Sequence, residues 1–381
     1  MSINIFESVV RILQLITHLE LGGAQKATLS LCRWLRSQGY YVVLGSSHRG
    51  LLVEEAQGLL GRGFKKFRFL IREINPLYDL IAFFSLFIYI REEGFDLIHT
   101  HTSKAGFLGR WAAFFAGVKS VHTVHGFAFH DFQNPVVKWL YIFLERITAV
   151  ITSRLIVVSE QVKIKGLKYK IGKSSKYEVI YELVQFPPVR VINRRKSIPA
   201  IVGMVSALKP QKNPYDFIKL AEALSPKYSS LEFHIVGDGK LASALKRIVA
   251  SSEIKDRIKF WGWKKEGWKY MCNFDVLVLT SLFEGQPHVV VEAMAMGIPV
   301  VAYGVDGVND IIQNGINGFA VTPRNFAELK EKVELVLNDH ILREKMSIQA
   351  FKFVRSEKKL DCFYNLDRIE MIYKEVKDEQ S

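Results

Sequence analysis

Short β-rich runs alternate with helix-like segments along the whole chain, and this alternation restarts after residue 197. In the first half, we predict seven strands separated by helical patterns, at 11–17, 41–46, 67–71, 97–100, 121–125, 155–159 and 179–181. In the second half, six strands are predicted, at 201–207, 232–236, 258–261, 276–280, 299–303 and 318–321. Alternation of this kind is typical of βαβ units with parallel strands. The chain is therefore predicted to be an α/β protein with two doubly wound, Rossmann-like domains.

The boundary between the two domains is predicted in a segment without helical periodicity that begins at Phe186 and is rich in proline and arginine. The first domain is then 1–190, the second is 198–360, and 361–381 forms a C-terminal helix and tail. This helix could pack on either domain, including back onto the N-terminal one. Ligands of parallel sheets bind beyond the carboxyl ends of the strands, so we expect a central cleft that these ends of both domains face.

Positive charge is concentrated in the first half of the chain. Residues 1–195 contain 26 Lys and Arg against 14 Asp and Glu, whereas the whole chain has a net charge of +14. The excess includes six lysines at 163–176, together with Arg190 and the run at 194–196. No nucleic-acid recognition motif accompanies these charges, so nucleic acid is not an expected partner. Apolar and aromatic stretches lie in the same half, which favours anionic lipid headgroups over nucleic acid as the partner; a solvated basic surface over an ordinary core is the alternative.

The chain shows no pattern for crossing a membrane or for extracellular folding. Its start lacks the features of a signal peptide, and its most apolar stretch, 80–90, is shorter than the roughly 20 residues that a membrane-spanning helix needs. Cys32, Cys272 and Cys362 are far apart and form no C-x-x-C pair, which argues against a disulfide framework or a zinc site. We therefore expect a cytoplasmic protein that is peripheral on the inner face of the plasma membrane.

The segment 281–297, SLFEGQPHVVVEAMAMG, carries the strongest indication of a binding site. It follows a predicted strand, and Pro287 stands where a helix would begin. Helix N-termini present unpaired N–H groups and partial positive charge, which suit anionic or hydroxyl-rich ligands. Glu284 lies in the loop before this helix, and Glu292 lies about one turn into it. Because two carboxylates near one helix start repel each other, packing alone does not explain them. A carboxylate that accepts from neighbouring sugar hydroxyls gains about 1.5–3 kcal/mol per bond.

Two further motifs stand at the ends of predicted strands in the first half. Gly22 and Gly23 follow the first strand and open a helix, where backbone N–H groups can approach a phosphate; a simple turn is the alternative. His125 ends the fifth strand in VHTVHGF and would face the cleft; a core histidine bonded to backbone groups is the alternative. These positions identify both motifs as candidate parts of a site.

The E-x7-E spacing of Glu284 and Glu292, within FEGQPHVVVEAMAMGIPVVA, resembles the signature of the family 4 retaining glycosyltransferases of GT-B fold. The resemblance implies two Rossmann-like domains facing a central cleft. It also implies that Glu292 binds the ribose hydroxyls of a nucleotide sugar and that Glu284 contacts the donor sugar. The loop between them would surround that sugar, and its donor-binding residues are Gly285, Gln286, Pro287 and His288.

The same resemblance assigns roles to the two motifs in the first half. Gly22 and Gly23 match a GGA loop near the donor diphosphate and the acceptor. His125 matches a histidine that binds the donor sugar or helps to stabilise the transition state. His125 and Glu284 are therefore the candidate catalytic residues.

Basic residues after the second domain's first strand match the family only in part. The resemblance implies a lysine on the donor phosphates, which is Lys212, and an arginine, whose place is taken by Ala207. Lys209 could substitute for the arginine, but a lysine offers a point charge without bidentate geometry. Ser103 and Lys104 open a helix that we place on the acceptor side.

We therefore predict a retaining hexosyltransferase that moves a hexose from a nucleotide-diphosphate sugar, with UDP-sugars favoured, to an acceptor hydroxyl. The expected acceptor is a lipid-linked saccharide in the synthesis of an envelope polysaccharide such as lipopolysaccharide or capsule. No Asp-x-Asp cluster is evident, so no metal and no cofactor are expected. The alternatives are a GT-B sugar-nucleotide epimerase or hydrolase, and a catalytically weak nucleotide-binding scaffold, which Ala207 makes conceivable. The sequence leaves open the donor sugar, the linkage and the oligomeric state.

Overall fold

A computed structural model of the chain describes residues 9–189 and 200–379. The chain divides into two compact units. The first unit comprises Met1–Leu183 together with Cys362–Ser381, and the second comprises Val184–Asp361. The basic residues Arg190 and 194–196, and the predicted domain boundaries at 190 and 198, lie outside the described residues.

The first unit is built on a seven-stranded parallel sheet with the strand order β3-β2-β1-β4-β5-β6-β7. Its strands are β1 (Arg11–Leu15), β2 (Tyr41–Ser46), β3 (Phe64–Lys66), β4 (Leu97–His101), β5 (Lys119–Val124), β6 (Arg154–Val157) and β7 (Tyr177–Val179). The helices between them are α1 (Gly23–Ser37), α2 (Val53–Leu60), α3 (Pro76–Glu93), α4 (Ser103–Phe115), α5 (Pro135–Val150) and α6 (Glu160–Lys168). The strand order reverses between β1 and β4, so the loops after these strands lie side by side at the carboxyl edge of the sheet.

Local sequence signals account for the start of two of these helices. Asn75 precedes α3, and its side-chain oxygen accepts a hydrogen bond of 3.1 Å from the backbone N–H of Tyr78. Asn134 precedes α5 in the same way and accepts from the N–H of Val136 at 2.9 Å. A proline occupies the first helical position in both, where the missing N–H costs nothing.

The third strand lies earlier in the chain than the prediction of 67–71. It comprises Phe64–Lys66, and Phe67 and Leu70 follow it in a turn in which the N–H of Leu70 donates to the carbonyl of Phe67 at 3.1 Å. Both side chains are buried in the core between the sheet and α3. The apolar residues that suggested a strand are therefore core contacts of a turn.

The second unit contains a six-stranded parallel sheet with the order β10-β9-β8-β11-β12-β13. Its strands are β8 (Ile201–Val205), β9 (Glu232–Val236), β10 (Ile258–Phe260), β11 (Val276–Leu279), β12 (Val300–Tyr303) and β13 (Phe319–Val321). Its helices are α7 (Pro214–Leu224), α8 (Ala242–Ala250), α9 (Trp268–Met271), α10 (His288–Ala295), α11 (Phe326–Asn338) and α12 (His340–Ser356). Here the order reverses between β8 and β11. The loops after these two strands are therefore neighbours.

The last helix, α13 (Cys362–Asp378), packs on the first unit. Its apolar side chains Ile369, Ile372 and Val376 are buried in the same core as residues of α1 and α2. Of the two domains on which this helix could pack, it packs on the N-terminal one.

Helices cover both faces of the first unit's sheet. On one face, α1, α2 and α13 share a core, and on the other, α3 and α4 share a second core. The indole N–H of Trp111 in α4 donates to the hydroxyl of Thr148 in α5 at 3.2 Å, which connects α5 to the same layer as α3 and α4. Within 9–189 and 200–379, no helix is long and apolar enough to cross a membrane.

Candidate functional site

The loops after β8 and β11 are joined by hydrogen bonds in the second unit. The N–H of Leu282 donates to the carbonyl of Gln211 at 2.8 Å, and the Gln211 side chain donates to the carbonyl of Phe283 at 2.8 Å. The hydroxyl of Thr280 donates to the carbonyl of Lys212 at 2.9 Å. These bonds hold the predicted basic segment 209–212 against the predicted loop 281–287.

Lys212 and Glu284 form an ion pair inside this arrangement, between Nζ and Oε1. The Glu284 backbone is held from a third loop, because its N–H donates to Oδ2 of Asp306 at 2.9 Å. The N–H of Gly307 donates to the carbonyl of Gly285 at 2.9 Å. Glu284 is therefore a buried carboxylate whose side chain and backbone are both fixed.

Glu292 lies one turn into α10, which begins at His288 with Pro287 as its capping residue. Val291 and Ala293 on either side are fully buried in the core, whereas Glu292 is partly exposed. The helix thus uses its apolar residues to pack and leaves this carboxylate at the surface of the unit. The other predicted donor-binding residues in this region, Gly285, Gln286, Pro287 and His288, form the buried to half-buried segment between the two glutamates.

The loop that contains Ala207 and Lys209 lies against the turn after β9. The N–H of Leu208 donates to the carbonyl of Asp238 at 2.8 Å. Gly237 has φ +140°, and a Cβ at this position would lie 1.9 Å from the carbonyl oxygen of Ser206. A glycine is therefore required for the two loops to approach this closely.

The glycine motif of the first unit lies at its carboxyl edge. Gly22 is the N-cap residue of α1 and Gly23 is its first residue, as predicted from sequence. The preceding loop is held by the loop after β2, because the N–H of Leu19 donates to the carbonyl of Arg49 at 3.1 Å. The N–H of Leu52 donates to the carbonyl of Leu19 at 2.9 Å.

His125 follows β5 directly, and both of its ring nitrogens have partners. Nδ1 lies 2.7 Å from Oε1 of Glu182, and Nε2 lies 3.0 Å from Nδ1 of His101. Its side chain is 12% exposed. A hydrogen bond from either ring nitrogen to a ligand therefore requires one of these bonds to open.

Three other histidines are fully buried near His125: His99, His101 and His122. Burial holds the pKa of each well below the usual value, and the neighbouring histidines lower it further. His122 bonds Thr100, with Nδ1 2.8 Å from its hydroxyl and 3.0 Å from its carbonyl. These histidines are neutral at pH 7.

Ser103 and Lys104 begin α4 at the same edge of the sheet. The Lys104 ammonium is 2.7 Å from Oδ1 of Asp79, and it also donates to the backbone carbonyl of Glu73. Its charge is therefore balanced by an acidic residue of α3.

Sequence reasoning did not identify the partners of these candidates as site residues. Glu182 and His101 bond His125, and Asp306 bonds the Glu284 backbone. The signal available in the sequence was that several parallel strands are each followed by a polar residue, which could have identified these partners. In the part of the chain that the structure describes, no group of three or more His, Cys, Asp or Glu is arranged to hold a metal ion.

Comparisons with known proteins cover nearly the whole chain. A family model described as Glycosyltransferase Family 4 matches residues 21–185, and one described as Glycosyl transferases group 1 matches residues 186–353. The Escherichia coli UDP-Gal:alpha-D-GlcNAc-diphosphoundecaprenol alpha-1,3-galactosyltransferase is 30% identical over 367 residues, covering 90% of this chain and 94% of the relative. The Staphylococcus aureus capsular polysaccharide biosynthesis glycosyltransferase CapM is 23% identical, covering 79% of this chain and 82% of the relative.

Solved structures show the same fold. The Anabaena protein HepE, crystallised in complex with UDP and glucose, matches with a TM-score of 0.77 at 20% identity. The match covers 96% of this chain and 99% of HepE. The fold, with its two Rossmann-like units, is thus shared with proteins of quite different sequence.

Proposed function

This chain belongs to glycosyltransferase family 4, and from that premise we propose that it moves a hexose from a UDP-sugar to a hydroxyl of a lipid-linked saccharide. The anomeric configuration of the hexose is retained, as the family resemblance implies. The observation that carries this proposal is the fixed Lys212–Glu284 pair at the reversal of strand order in the second unit, with Glu292 one turn into the adjoining helix. Such a reversal is where parallel sheets bind their ligands.

The donor assignment rests on the chemistry of the second unit and on the relatives. Glu292 is proposed to accept hydrogen bonds from the ribose, and Glu284 from the donor sugar. Lys212 and Lys209 supply positive charge for a diphosphate. The E. coli relative is named for UDP-galactose, and the HepE structure contains UDP. These two observations support a UDP-sugar over other nucleotide sugars.

The proposed chemical step places negative charge on the leaving diphosphate as the glycosidic bond to it breaks. Lys212, Lys209 and the N–H groups at the start of α1 near Gly23 are proposed to stabilise this charge where it develops. The Lys212 ammonium is already paired with the Glu284 carboxylate before the donor binds. Donor binding therefore changes the partners of this ammonium and does not require an unpaired charge to be buried. Because lysine ammonium groups fill this role, we propose that transfer needs no divalent metal.

The proposed acceptor is carried by a membrane lipid. The E. coli relative is named for an acceptor on diphosphoundecaprenol, and CapM is named for capsule synthesis. An enzyme that uses a lipid-linked acceptor has to reach the membrane surface. We propose a peripheral position on the inner face of the plasma membrane.

The outer surface of α5 supports membrane binding. Ile142 and Ala149 are buried against the first unit, as expected for the inner stripe of a surface helix. The opposite side should be polar, yet Trp139, Leu140 and Phe143 are exposed. An exposed apolar surface on a monomer marks a contact with a protein or a membrane.

Helix α3, which packs beside α4, also has exposed apolar side chains. Leu80, Phe84 and Ile88 are spaced by four residues and are all exposed, while Leu86 and Ile90 are buried. Exposed lysines of the segment 163–176 follow α5 in the chain, and such cations favour anionic lipid by about 1 kcal/mol each. Together the two helices offer apolar insertion and the lysines offer charge attraction.

One lysine of the predicted basic run has a different role. The Lys176 ammonium donates to the carbonyls of Ala149, Val150 and Thr152, at 2.9, 2.9 and 2.7 Å. It therefore satisfies the carbonyl groups at the end of α5. The charge proposed to meet a membrane comes from the other lysines of the run.

A transfer assay tests the proposed function. The purified chain is incubated with UDP-glucose, UDP-galactose or their N-acetyl derivatives and a polyprenyl-diphosphate-linked saccharide, with and without EDTA. The expected product is a lipid that has gained one hexose, at equal rates in both conditions. A sugar that changes configuration but stays on UDP identifies an epimerase, and free sugar identifies a hydrolase. Donor binding without any product identifies a scaffold.

A further inference from the structure

A continuous chain of hydrogen bonds runs through the interior of the first unit from Glu182 to Tyr373 in α13. It passes from Glu182 to His125 at 2.7 Å and from His125 to His101 at 3.0 Å. It continues from His101 to Oε1 of Gln14 at 2.8 Å, and from Nε2 of Gln14 to the Tyr373 hydroxyl at 2.9 Å. We call this series the buried hydrogen-bond chain. All of its members except His125 are buried, so water does not replace these partners.

The buried hydrogen-bond chain extends by two further hydrogen bonds beyond Tyr373. The Tyr373 hydroxyl lies 2.5 Å from Nδ1 of His99, and Nε2 of His99 lies 2.7 Å from the hydroxyl of Thr123. Burial holds the pKa of the Tyr373 hydroxyl well above its usual value, so it keeps its proton. His99 and His101 are neutral for the reason given above. Each of these two rings therefore has one N–H and one bare nitrogen.

The direction of the bonds decides which nitrogen carries the proton. With the Gln14 amide nitrogen on Tyr373, its oxygen accepts from His101, so the proton of His101 is on Nε2. Nδ1 of His101 is then an acceptor, and Nε2 of His125 must donate to it. His125 still faces Glu182 with Nδ1, which leaves two choices: an imidazolium beside a carboxylate, or a neutral imidazole beside a protonated carboxyl. In both cases, the Glu182–His125 pair holds one proton more than a neutral imidazole beside an ionised carboxylate.

A half-turn of the Gln14 amide reverses every bond. The amide nitrogen then donates to Nε2 of His101, whose proton is on Nδ1 and points to Nε2 of His125. The proton of His125 is on Nδ1 and points to a Glu182 carboxylate. On the other side, Tyr373 donates to the amide oxygen and accepts from Nδ1 of His99. All groups are again satisfied, and the Glu182–His125 pair has one proton fewer.

We propose that Glu182 is a positioning residue for His125, and that the Gln14 amide transmits the protonation state of the Glu182–His125 pair to Tyr373 in the C-terminal helix. The two arrangements differ by one proton and one amide rotation, and no other group of the buried hydrogen-bond chain changes its charge. This inference rests on the proposed function only in the role of His125 towards the donor. Glu182 acts through His125 and not on the substrate.

Several titratable groups of the described residues face or surround the pair. His101 and His99 approach from β4, His122 from β5 and Tyr373 from α13, and Arg110 of α4 lies beyond His122. The small cavity beside His125 is otherwise lined mostly by apolar side chains of α1, β6 and α13, including Ala27, Leu31, Ile156 and Ile369. An apolar lining keeps the bonds of the pair strong, since water does not compete for them.

Long-range 1H–15N spectra of the full chain with 15N-labelled histidine test this proposal without any turnover. On raising the pH, His101 and His99 are expected to move their proton from Nε2 to Nδ1 in the same step in which the pair loses its proton. In Glu182→Gln, this step moves to lower pH, because a neutral amide does not stabilise an imidazolium. If His101 keeps one tautomer throughout, or the step is unmoved in Glu182→Gln, the proposal is wrong.

Two tyrosine variants distinguish transmission from general disturbance. Tyr373→Phe removes the hydroxyl between Gln14 and His99, so His101 should still change its tautomer and His99 should not. Tyr40→Phe is the matched control, because its hydroxyl bonds Glu370 of α13 at 2.8 Å outside the buried hydrogen-bond chain. In Tyr40→Phe both histidines should change together. If His99 in Tyr373→Phe still changes its tautomer when the Glu182–His125 pair loses its proton, Tyr373 does not transmit the change.

Activity gives a separate reading of the same variants. Misplacing a reacting group costs about 100-fold in rate, so Glu182→Gln should lower kcat by about that factor with little change in the donor KM. The pH at which wild-type kcat changes should coincide with the tautomer step. If no UDP-sugar is turned over by wild type, the proposed function fails while the spectra still decide on the buried hydrogen-bond chain. A kcat that is unchanged in Glu182→Gln removes its positioning role.

Discussion

The ammonium group of Lys212 bonds the carboxylate of Glu284, and only 17% and 7% of these two side chains are exposed. The pair joins the loop after β8 to the loop after β11, at the point where the strand order of the second unit reverses. A buried ion pair contributes little net stability, but removal of one partner leaves an uncompensated charge. The pair therefore fixes the positions of two groups that are proposed to bind the donor.

Replacement of Lys212 by methionine should lower the free energy of unfolding by about 3 kcal/mol, because Glu284 is left buried and unpaired. The double variant Lys212→Met with Glu284→Gln should recover most of this loss. Urea unfolding of Lys212→Met, Glu284→Gln, the double variant and wild type measures these changes. Lys269→Met is the control, since both side chains of the Lys269–Glu266 pair are 55% exposed and its loss should have no measurable effect. Additive effects of the two substitutions at 212 and 284 would contradict the coupling.

Glu292→Gln should raise the donor KM by about 10- to 100-fold, which corresponds to the loss of one charged hydrogen bond of about 1.5–3 kcal/mol. Its stability should match wild type, because the side chain is partly exposed on α10. Steady-state kinetics with varied UDP-sugar and a thermal melt measure the two quantities. Glu331→Gln, an exposed glutamate of α11, serves as the control. An unchanged KM would exclude a ribose-binding role for Glu292.

As the pH falls, the first unit should begin to lose stability at a higher pH than a protein without buried histidines. The pKa values of His99, His101 and His122 are lowered in the fold, so below about pH 6.5 the unfolded chain binds protons that the folded chain does not. Stability is thus fully present above pH 6.5 and falls as the pH drops, by up to about 1.4 kcal/mol per pH unit for each histidine. Urea unfolding between pH 7.5 and 5.5 measures the slope.

A histidine variant checks the origin of that slope. His122→Gln should be less stable than wild type at pH 7.5, because the bonds of Thr100 to the ring are lost. Its stability should nevertheless fall less steeply with acid, since one of the three titrating groups is gone. An identical slope in both proteins would show that other groups control the acid response.

Trp139→Ser combined with Phe143→Ser should weaken binding to phosphatidylglycerol vesicles by about 100-fold or more, since burial of each aromatic side chain contributes about 1.5–3 kcal/mol. Co-sedimentation at varied lipid concentration measures this change. Phe363→Ser is the matched control, because Phe363 is exposed on α13 at the other face of the first unit. Equal binding by all three proteins would remove α5 from the membrane contact.

The charge contribution has its own test. Lys168→Glu with Lys170→Glu should weaken binding to anionic vesicles and should make it less sensitive to salt, as screening acts on fewer cations. Lys176 is left unchanged because it binds the carbonyl groups at the end of α5. Vesicles of neutral phosphatidylcholine are the comparison. Unaltered salt dependence in the variant would show that these lysines do not face the lipid.

The alternation of strands and helices, the helix start beside Pro287 and the segment from Glu284 to Glu292 could all be interpreted from sequence alone. Each depends on residues close together in the chain: periodicity follows from backbone geometry, and a cap needs only the next few N–H groups. They were sufficient to predict two Rossmann-like domains, the family and a nucleotide sugar as donor.

The partners of the site residues were decided only by the tertiary structure. Glu182 meets His125 because β7 and β5 lie in one sheet, and Tyr373 reaches Gln14 because α13 returns to the first unit. Phe67, which was predicted in a strand, lies in a turn, and its side chain packs in the core beside α3. Contacts between residues far apart in the chain depend on strand order, register and packing, and no local pattern records these three.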